Sequence, residues 1–420
     1  MLLEDIIQSK PEELFNYLER RVNYRFPFRK GYSDVPKRYR ADGKQNYFQM
    51  PFVLLGKEEV FVAEARPDPR IKSEVTFDGK TKFFVHPNIA LDYKKRDLPK
   101  LLDFRGKYLV SPLASTRSVL TKSLEYNFVI KTDLPRKIGG FARKMKKEAI
   151  EHSNKISQEL DCSALPEFCG FLPESIGICH KTEGIETGNI FRELAARPTA
   201  VGKRYLIPFF SLISLDSCNK EDPLLLCQII ENSKKTDENE FDTFNRTILT
   251  PLINSFAYLV LERGILPEPH AQNLFLELNK NGAATRIVYS DFQDYGIDLS
   301  IRNKKGLDCG YSRNLVERCY LPINCEDGIV ERHGFRRIKY SCTYDFVIAR
   351  IIDNCSIALS KYSSCEPEKI TEQTKQLFSQ NFSAVAKELF PYDECFYHII
   401  TQNGPEKTFN IRRLGKKWYR

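Results

Sequence analysis

Between Pro267 and Gly296 the sequence reads PEPHAQNLFLELNKNGAATRIVYSDFQDYG. No other stretch restricts the fold as much. Two apolar runs, Leu274 to Leu278 and Thr285 to Tyr289, flank Asn279-Lys280-Asn281-Gly282, which has the composition of a tight turn, so a β-hairpin is predicted. Paired antiparallel strands bring the start of one beside the end of the other. Asn273, just before the first strand, should therefore neighbour Asp291, just after the second. An amide oxygen and a carboxylate held together are hard ligands of the kind that Mg²⁺ takes one or two of, leaving its other positions to phosphate and water. Glu268, His270 and Gln272 add polar groups at the same end, although a turn cap at Asn273 and a strand end at Asp291 would explain those two residues alone.

The 420 residues suffice for two or three domains, and 42% hydrophobic content supplies a sizeable core. The net charge of +9 arises from 64 basic and 55 acidic residues spread along the chain. That mild excess lacks the basic arm of a nucleic-acid binder, and no nucleic-acid partner is expected. No apolar run reaches membrane-span length, and the start MLLEDIIQSKPEELF carries acids where a signal peptide needs bases, so a cytoplasmic protein is expected. Twelve cysteines are scattered without a C-x-x-C pair, and Cys162, Cys169, Cys179 and His180 lack the paired spacing of a structural zinc site. They read as reduced, mostly buried thiols.

Along the chain, Leu2 to Arg21 reads as two short amphipathic helices, the second beginning at Pro11. Strand-like runs YFQMPFVLL, EVFVAEA and KFFVHP follow from Tyr47. The segment from Tyr108 to Lys144 then offers Ser115-Thr116-Arg117-Ser118 after one strand and Lys131 at the end of another. Hydroxyls and a bidentate guanidinium can hold phosphate oxygens, and an ammonium adds a point charge, whereas an edge strand with outward polar residues is the plainer alternative. Ile138-Gly139-Gly140-Phe141-Ala142-Arg143 reads as a turn into a basic helix with Arg143 near its start, a placement that would favour anions. Thr243 to Gly264 has helical periodicity, and Tyr344 to Ile357 and Glu368 to Leu389 are further helices, so the last third is expected to be mainly α.

At these motifs the chain resembles the NRPS-independent siderophore synthetases, the aerobactin-synthetase-like family. GILPEPHAQNLFLEL with RIVYSDFQDYG matches the family's palm signature. SPLASTRSVL is similar to its Ser-x-Arg-Thr phosphate segment, with Ser118 in place of Thr. VIKTDLPRKIGGFAR matches its lysine strand and following segment, with Gly139 in place of Thr, and IFRELAARP resembles the join between two domains. Of the family's His-Pro-x-His-Pro element only His86-Pro87 remains, with Ile89 at the second His. The resemblance implies an α+β, cupped-hand fold with a distantly kinase-like arrangement: a shortened thumb over residues 1–45, β-rich fingers over 46–198 and a mainly helical palm over 199–420. It also implies ATP and Mg²⁺ as cofactors and the family's usual homodimer. By the same resemblance, Ser115, Arg117, Ser118, Lys131 and His86 contact the nucleotide phosphates. Glu268, Asn273 and Asp291 hold Mg²⁺, and Arg143 and His270 hold the carboxylic acid substrate.

The chemistry so implied is attack of a carboxylate on the α-phosphate of ATP to give an acyl adenylate, from which an amine or alcohol displaces AMP. The partners would then be small molecules: a polycarboxylic acid and an amine or alcohol. Gly139, lacking the family's hydroxyl, leads to the expectation that a partly amidated citrate or another dicarboxylic acid is preferred over free citrate. Two rivals remain at this level. The order Glu268, Asn273, Asp291 also suits a kinase-like phosphotransferase, although no Gly-rich loop precedes it. A shortened, inactive homologue is the other, against which the intact Lys131, Asn273 and Asp291 argue.

Overall fold

The computed structural model describes residues 1–22, 35–95, 98–123, 126–138, 141–181, 187–312, 314–315, 320–324, 330–363, 365–390, 395–401 and 408–414. Its largest sheet runs in the order Val60–Glu64, Glu174–His180, Gly188–Arg192, Val129–Thr132, Ser118–Thr121, Gly106–Pro112, Phe48–Leu55, Lys80–Phe84, Thr76–Phe77. Every pairing in it is antiparallel. The Phe- and Val-rich runs supply these strands because alternate residues can bury on a pleated surface. Val119, Ile130, Phe191, Ile176 and Ile178 line one face and form a core with Phe48, Phe83 and Phe84. The other face carries Ser118, Lys131 and Ile190, which lie opposite one another in register. Helix Lys147–Asp161 covers part of that second face. It fits closely because Gly177 and Gly188 have no side chain: a β-carbon at either would collide with Ile150.

A second sheet, in the order Cys169–Phe171, Ala284–Tyr289, Leu274–Leu278, Tyr205–Pro208, contains the predicted hairpin. Leu274 pairs with Tyr289 and Leu276 with Ile287. Gly282 takes the left-handed φ of 77° that the turn needs, and the Asn279 carboxamide accepts from the amides of Asn281 and Ala283. The helical run that delivers the chain to this hairpin spans Glu240–Phe244, Asn245–Leu249 and Thr250–Leu261, and Gly264 ends it with a φ of 58°.

Around this sheet lies the larger core, where Phe256, Tyr344, Phe378, Phe382 and Phe390 meet ring against ring. The N-terminal helices Leu3–Gln8 and Pro11–Arg21 bury Leu3, Ile6, Leu14 and Leu18 in the same core. Helices Ala349–Tyr362 and Pro367–Phe382 fall on the two periodic stretches, but the second stops at Phe382 and a separate short helix, Ala386–Leu389, completes the stretch expected to be one helix. The last third is less purely helical than expected, with hairpins Tyr320–Asn324/Val330–Gly334 and Cys395–Thr401/Thr408–Leu414. Among the described residues, no helix is long and apolar enough to cross a membrane.

Candidate functional site

The site is built where the polar face of the large sheet meets the open end of the hairpin. Lys131 sits in mid-strand directly opposite Ser118, 2% exposed. Its ammonium donates to the Asp291 carboxylate across 160 positions of sequence. Burial, with Arg117 close by, pushes Lys131 down to about 8 against the pull of Asp291. At Asp291 burial acts to raise the carboxyl, but Lys131, Arg192 and Arg117 outweigh it and hold the group well below the usual carboxylate range.

Two residues of the candidate site have left-handed backbone, as do Arg66 and Asp78 elsewhere. Asp291 has φ 64° and ψ 63°, a left-handed conformation that Asp and Asn tolerate better than other side chains, and Thr116 has φ 68°, which is strained for a β-branched residue. Such conformations persist only where surrounding contacts impose them, and they concentrate at functional sites. At Thr116 those contacts form a tight turn: Leu113 N–H donates to the Ser118 carbonyl, Thr116 N–H to the Leu113 carbonyl, and the Ser118 N–H to the Ser115 hydroxyl at 3.0 Å. Glu19, buried on the second N-terminal helix, accepts from the Ala114 N–H at 2.8 Å and pins the turn from behind. Arg117 leaves this turn 6% exposed and donates to the Gln293 carboxamide at 3.3 Å.

On the hairpin side, the Asn273 carbonyl accepts from both the N–H and the hydroxyl of Ser290, so Asn273 lies beside the residue that precedes Asp291. The register thus sets Asn273 opposite Ser290, one residue from the expected Asp291. The Asn273 carboxamide nitrogen lies 3.0 Å from His270 Nε2, which turns its oxygen away from the imidazole. Glu268 lies near the Lys339 ammonium, 3.5 Å away. Loss of surrounding water raises the Glu268 carboxyl, Lys339 opposes that rise, and the negative charges of Asp294 and Asp291 add to it.

Ser115, Arg117, Ser118, Lys131 and Asp291 are thus brought to one place, and Asn273, His270 and Glu268 line the adjoining hairpin end. His86 is not among them. Its ring is fully buried between Tyr39 and Phe48, at centroid distances of 5.3 and 5.6 Å, within the core on the sheet face opposite Lys131. Its Nδ1 accepts from the Asn88 N–H, and burial, reinforced by Arg136, pushes it down to about 3. The unfolded chain therefore binds a proton that the folded one refuses, and stability should fall as pH drops from 6.5 toward 3, by about 1.4 kcal/mol per pH unit. A His86→Gln variant is expected to show a shallower decline of Tm between pH 6.5 and 4 than the parent. Equal slopes would place the acid sensitivity elsewhere.

Arg143 departs from its expected setting. Strand Phe141–Arg143 pairs with Leu134–Ile138, and the helix begins only at Lys147, so Arg143 ends a strand instead of opening a helix. The run Arg143 to Lys147 looks like a helical face in sequence, but its first part is taken by sheet pairing. The Arg143 side chain, with Gly139 and Gly140, lies outside the described residues.

Several residues at the site were not singled out by sequence reasoning. Arg192 neighbours Asp291 electrostatically, and Glu174 fixes it, accepting from Nε at 3.2 Å and Nη2 at 2.5 Å. Glu174 is in turn held by the Ser153 hydroxyl of helix Lys147–Asp161. Gln293 and Asp294 fall within the quoted DFQDYG, and Arg192 within IFRELAARP, so the motifs contained them. Lys339 carries no local signal at all.

No protein-family model matches the sequence, and no curated protein does. Solved structures do. The petrobactin biosynthesis protein AsbB from Bacillus anthracis str. Sterne superposes with a TM-score of 0.62 at 14% identity, over 91% of this chain and 69% of that one. Aerobactin synthetase IucC from a hypervirulent pathotype of Klebsiella pneumoniae gives 0.67 at 14% identity, over 94% and 74%. ATP-bound aerobactin synthetase IucA from the same source gives 0.58 at 11%, over 83% and 64%. At such identities the likeness is one of fold, and the chain has the α+β fold of the aerobactin-synthetase-like siderophore synthetases.

Proposed function

We propose that this chain is an ATP- and Mg²⁺-dependent ligase of siderophore biosynthesis, condensing a polycarboxylic acid, citrate or a citrate derivative, with an amine or alcohol through an acyl adenylate. The observation that carries this reading is the convergence of Arg117, just before one strand of the large sheet, and Lys131, on the neighbouring strand, with Asp291 from the distant hairpin, beside a strained hydroxyl-bearing turn. ATP bound to a similar fold in IucA supports the choice of nucleotide.

The donor chemistry fits a hard cation. Glu268, Asn273 and Asp291 offer two carboxylates and an amide oxygen, and in this structure lysine ammonium groups stand next to both carboxylates. Mg²⁺ typically takes only one or two protein carboxylates and leaves its other positions to water and phosphate. Those three residues would hold Mg²⁺, whose charge would offset that of the polyphosphate. Arg117 binds phosphate oxygens through its planar fork, Lys131 adds a point charge, and the Ser115 and Ser118 hydroxyls complete the cradle. Arg143 and His270 hold the acid. A carboxylate oxygen of the acid then bonds to the α-phosphorus as the bond to the β-phosphate breaks and pyrophosphate leaves. The incoming amine or hydroxyl bonds to the activated carbonyl carbon, AMP departs, and the nucleophile loses a proton. Fixed cations suffice for such a step, since it is governed by charge stabilisation.

Incubation with ATP, Mg²⁺ and a panel of polycarboxylates, with hydroxylamine as nucleophile, should yield AMP and pyrophosphate in proportion to hydroxamate. ADP in proportion to product would overturn the ligase reading in favour of phosphotransfer.

A further inference from the structure

Both carboxylates assigned to the cation already have a lysine ammonium as neighbour. Asp291 pairs with Lys131, from the middle of the large sheet, and Glu268 faces Lys339, 3.5 Å away, from helix Phe335–Ser341. The two lysines belong to unrelated elements, yet each stands at the position where a cation would neutralise its carboxylate. We propose that Lys339 is a further anion-binding residue of this site, and that Lys131 and Lys339 together make metal and nucleotide binding interdependent. The inference rests on the ligase reading of the site.

The physical reason is charge matching. A divalent cation entering alone must take both carboxylates from their ammonium partners, which leaves Lys131, 2% exposed, with Glu174, itself paired to Arg192, as its acidic neighbour in a site that also holds Arg117. A polyphosphate entering alone takes the ammonium groups and leaves Asp291 and Glu268 facing its own negative charge. When the two arrive together, every charge finds a partner: carboxylates to the cation, ammonium groups to phosphate oxygens. Each ligand therefore raises the affinity for the other by the same factor. Lys339, 28% exposed, can swing from Glu268 to the ligand, because its pairing is long and its stem flexible.

Mn²⁺ binding, read by electron paramagnetic resonance, tests this without turnover. In the parent protein a non-hydrolysable ATP analogue should tighten Mn²⁺ binding by about 100-fold. Lys339→Met should strengthen Mn²⁺ binding to the nucleotide-free protein, because Glu268 is released, and weaken binding of the analogue, so that the coupling falls about tenfold. Lys339→Arg should retain most of the coupling. If Lys339→Met, folded by its melting curve, leaves both affinities unchanged, the assignment of Lys339 is overturned while the ligase reading stands. If the parent protein binds no analogue even with Mn²⁺, the ligase reading itself falls.

Discussion

Asp291→Asn is expected to leave a folded protein whose AMP release is slower by roughly 100- to 1000-fold, the scale on which loss of one preorganised charge contact acts. Asparagine is the informative exchange. It tolerates the left-handed backbone of φ 64° at this position, where alanine would add about 1–2 kcal/mol of strain. It also keeps the size of the side chain while removing its charge. The buried Lys131 ammonium then loses its hydrogen-bonded carboxylate partner, but the group already lies near 8 and can shed its proton, which limits the loss of stability. The measurement is AMP formation rate alongside Tm. A variant with near-parent turnover would show that the end of the hairpin is only structural.

Neutralising the cradle should act on affinity. Arg117→Ala and Lys131→Ala are each expected to weaken binding of an ATP analogue by about 10- to 100-fold, corresponding to about 1.5–3 kcal/mol for a charge-assisted hydrogen bond. Lys131→Ala leaves Asp291 two of its three cationic neighbours, Arg192 and Arg117, so the fold should survive. Arg117→Lys should not restore full affinity, since one ammonium cannot reproduce the bidentate fork or the reach to Gln293. Calorimetric Kd values with Mg²⁺ present decide this. Unchanged Kd in both alanine variants would remove these residues from the nucleotide site.

What could be read in advance follows from the range over which each signal acts. Helices Leu3–Gln8 and Pro11–Arg21, the strands from Phe48 onward and the hairpin with its Asn-Lys-Asn-Gly turn are local patterns, and period and turn chemistry suffice for them. Strand Phe141–Arg143 was masked by the lysine-rich run that follows it. The hairpin from Tyr320 escaped because Pro322 argues against a strand, although it pairs with Arg332 there.

The sequence by itself determined the hairpin and so brought Asn273 to within one residue of Asp291, because antiparallel pairing across the Asn-Lys-Asn-Gly turn sets the start of one strand beside the end of the other. It also carried the motifs from which the nucleotide site was expected. Only the tertiary structure decided that Lys131 meets Asp291, that Arg192 and Lys339 stand beside them, and that His86 turns into the core on the other side of the sheet. Those contacts depend on the order of strands in the large sheet and on how that sheet is packed against the hairpin. The free energy that sets both is summed over the whole core, so no single stretch of the chain encodes it.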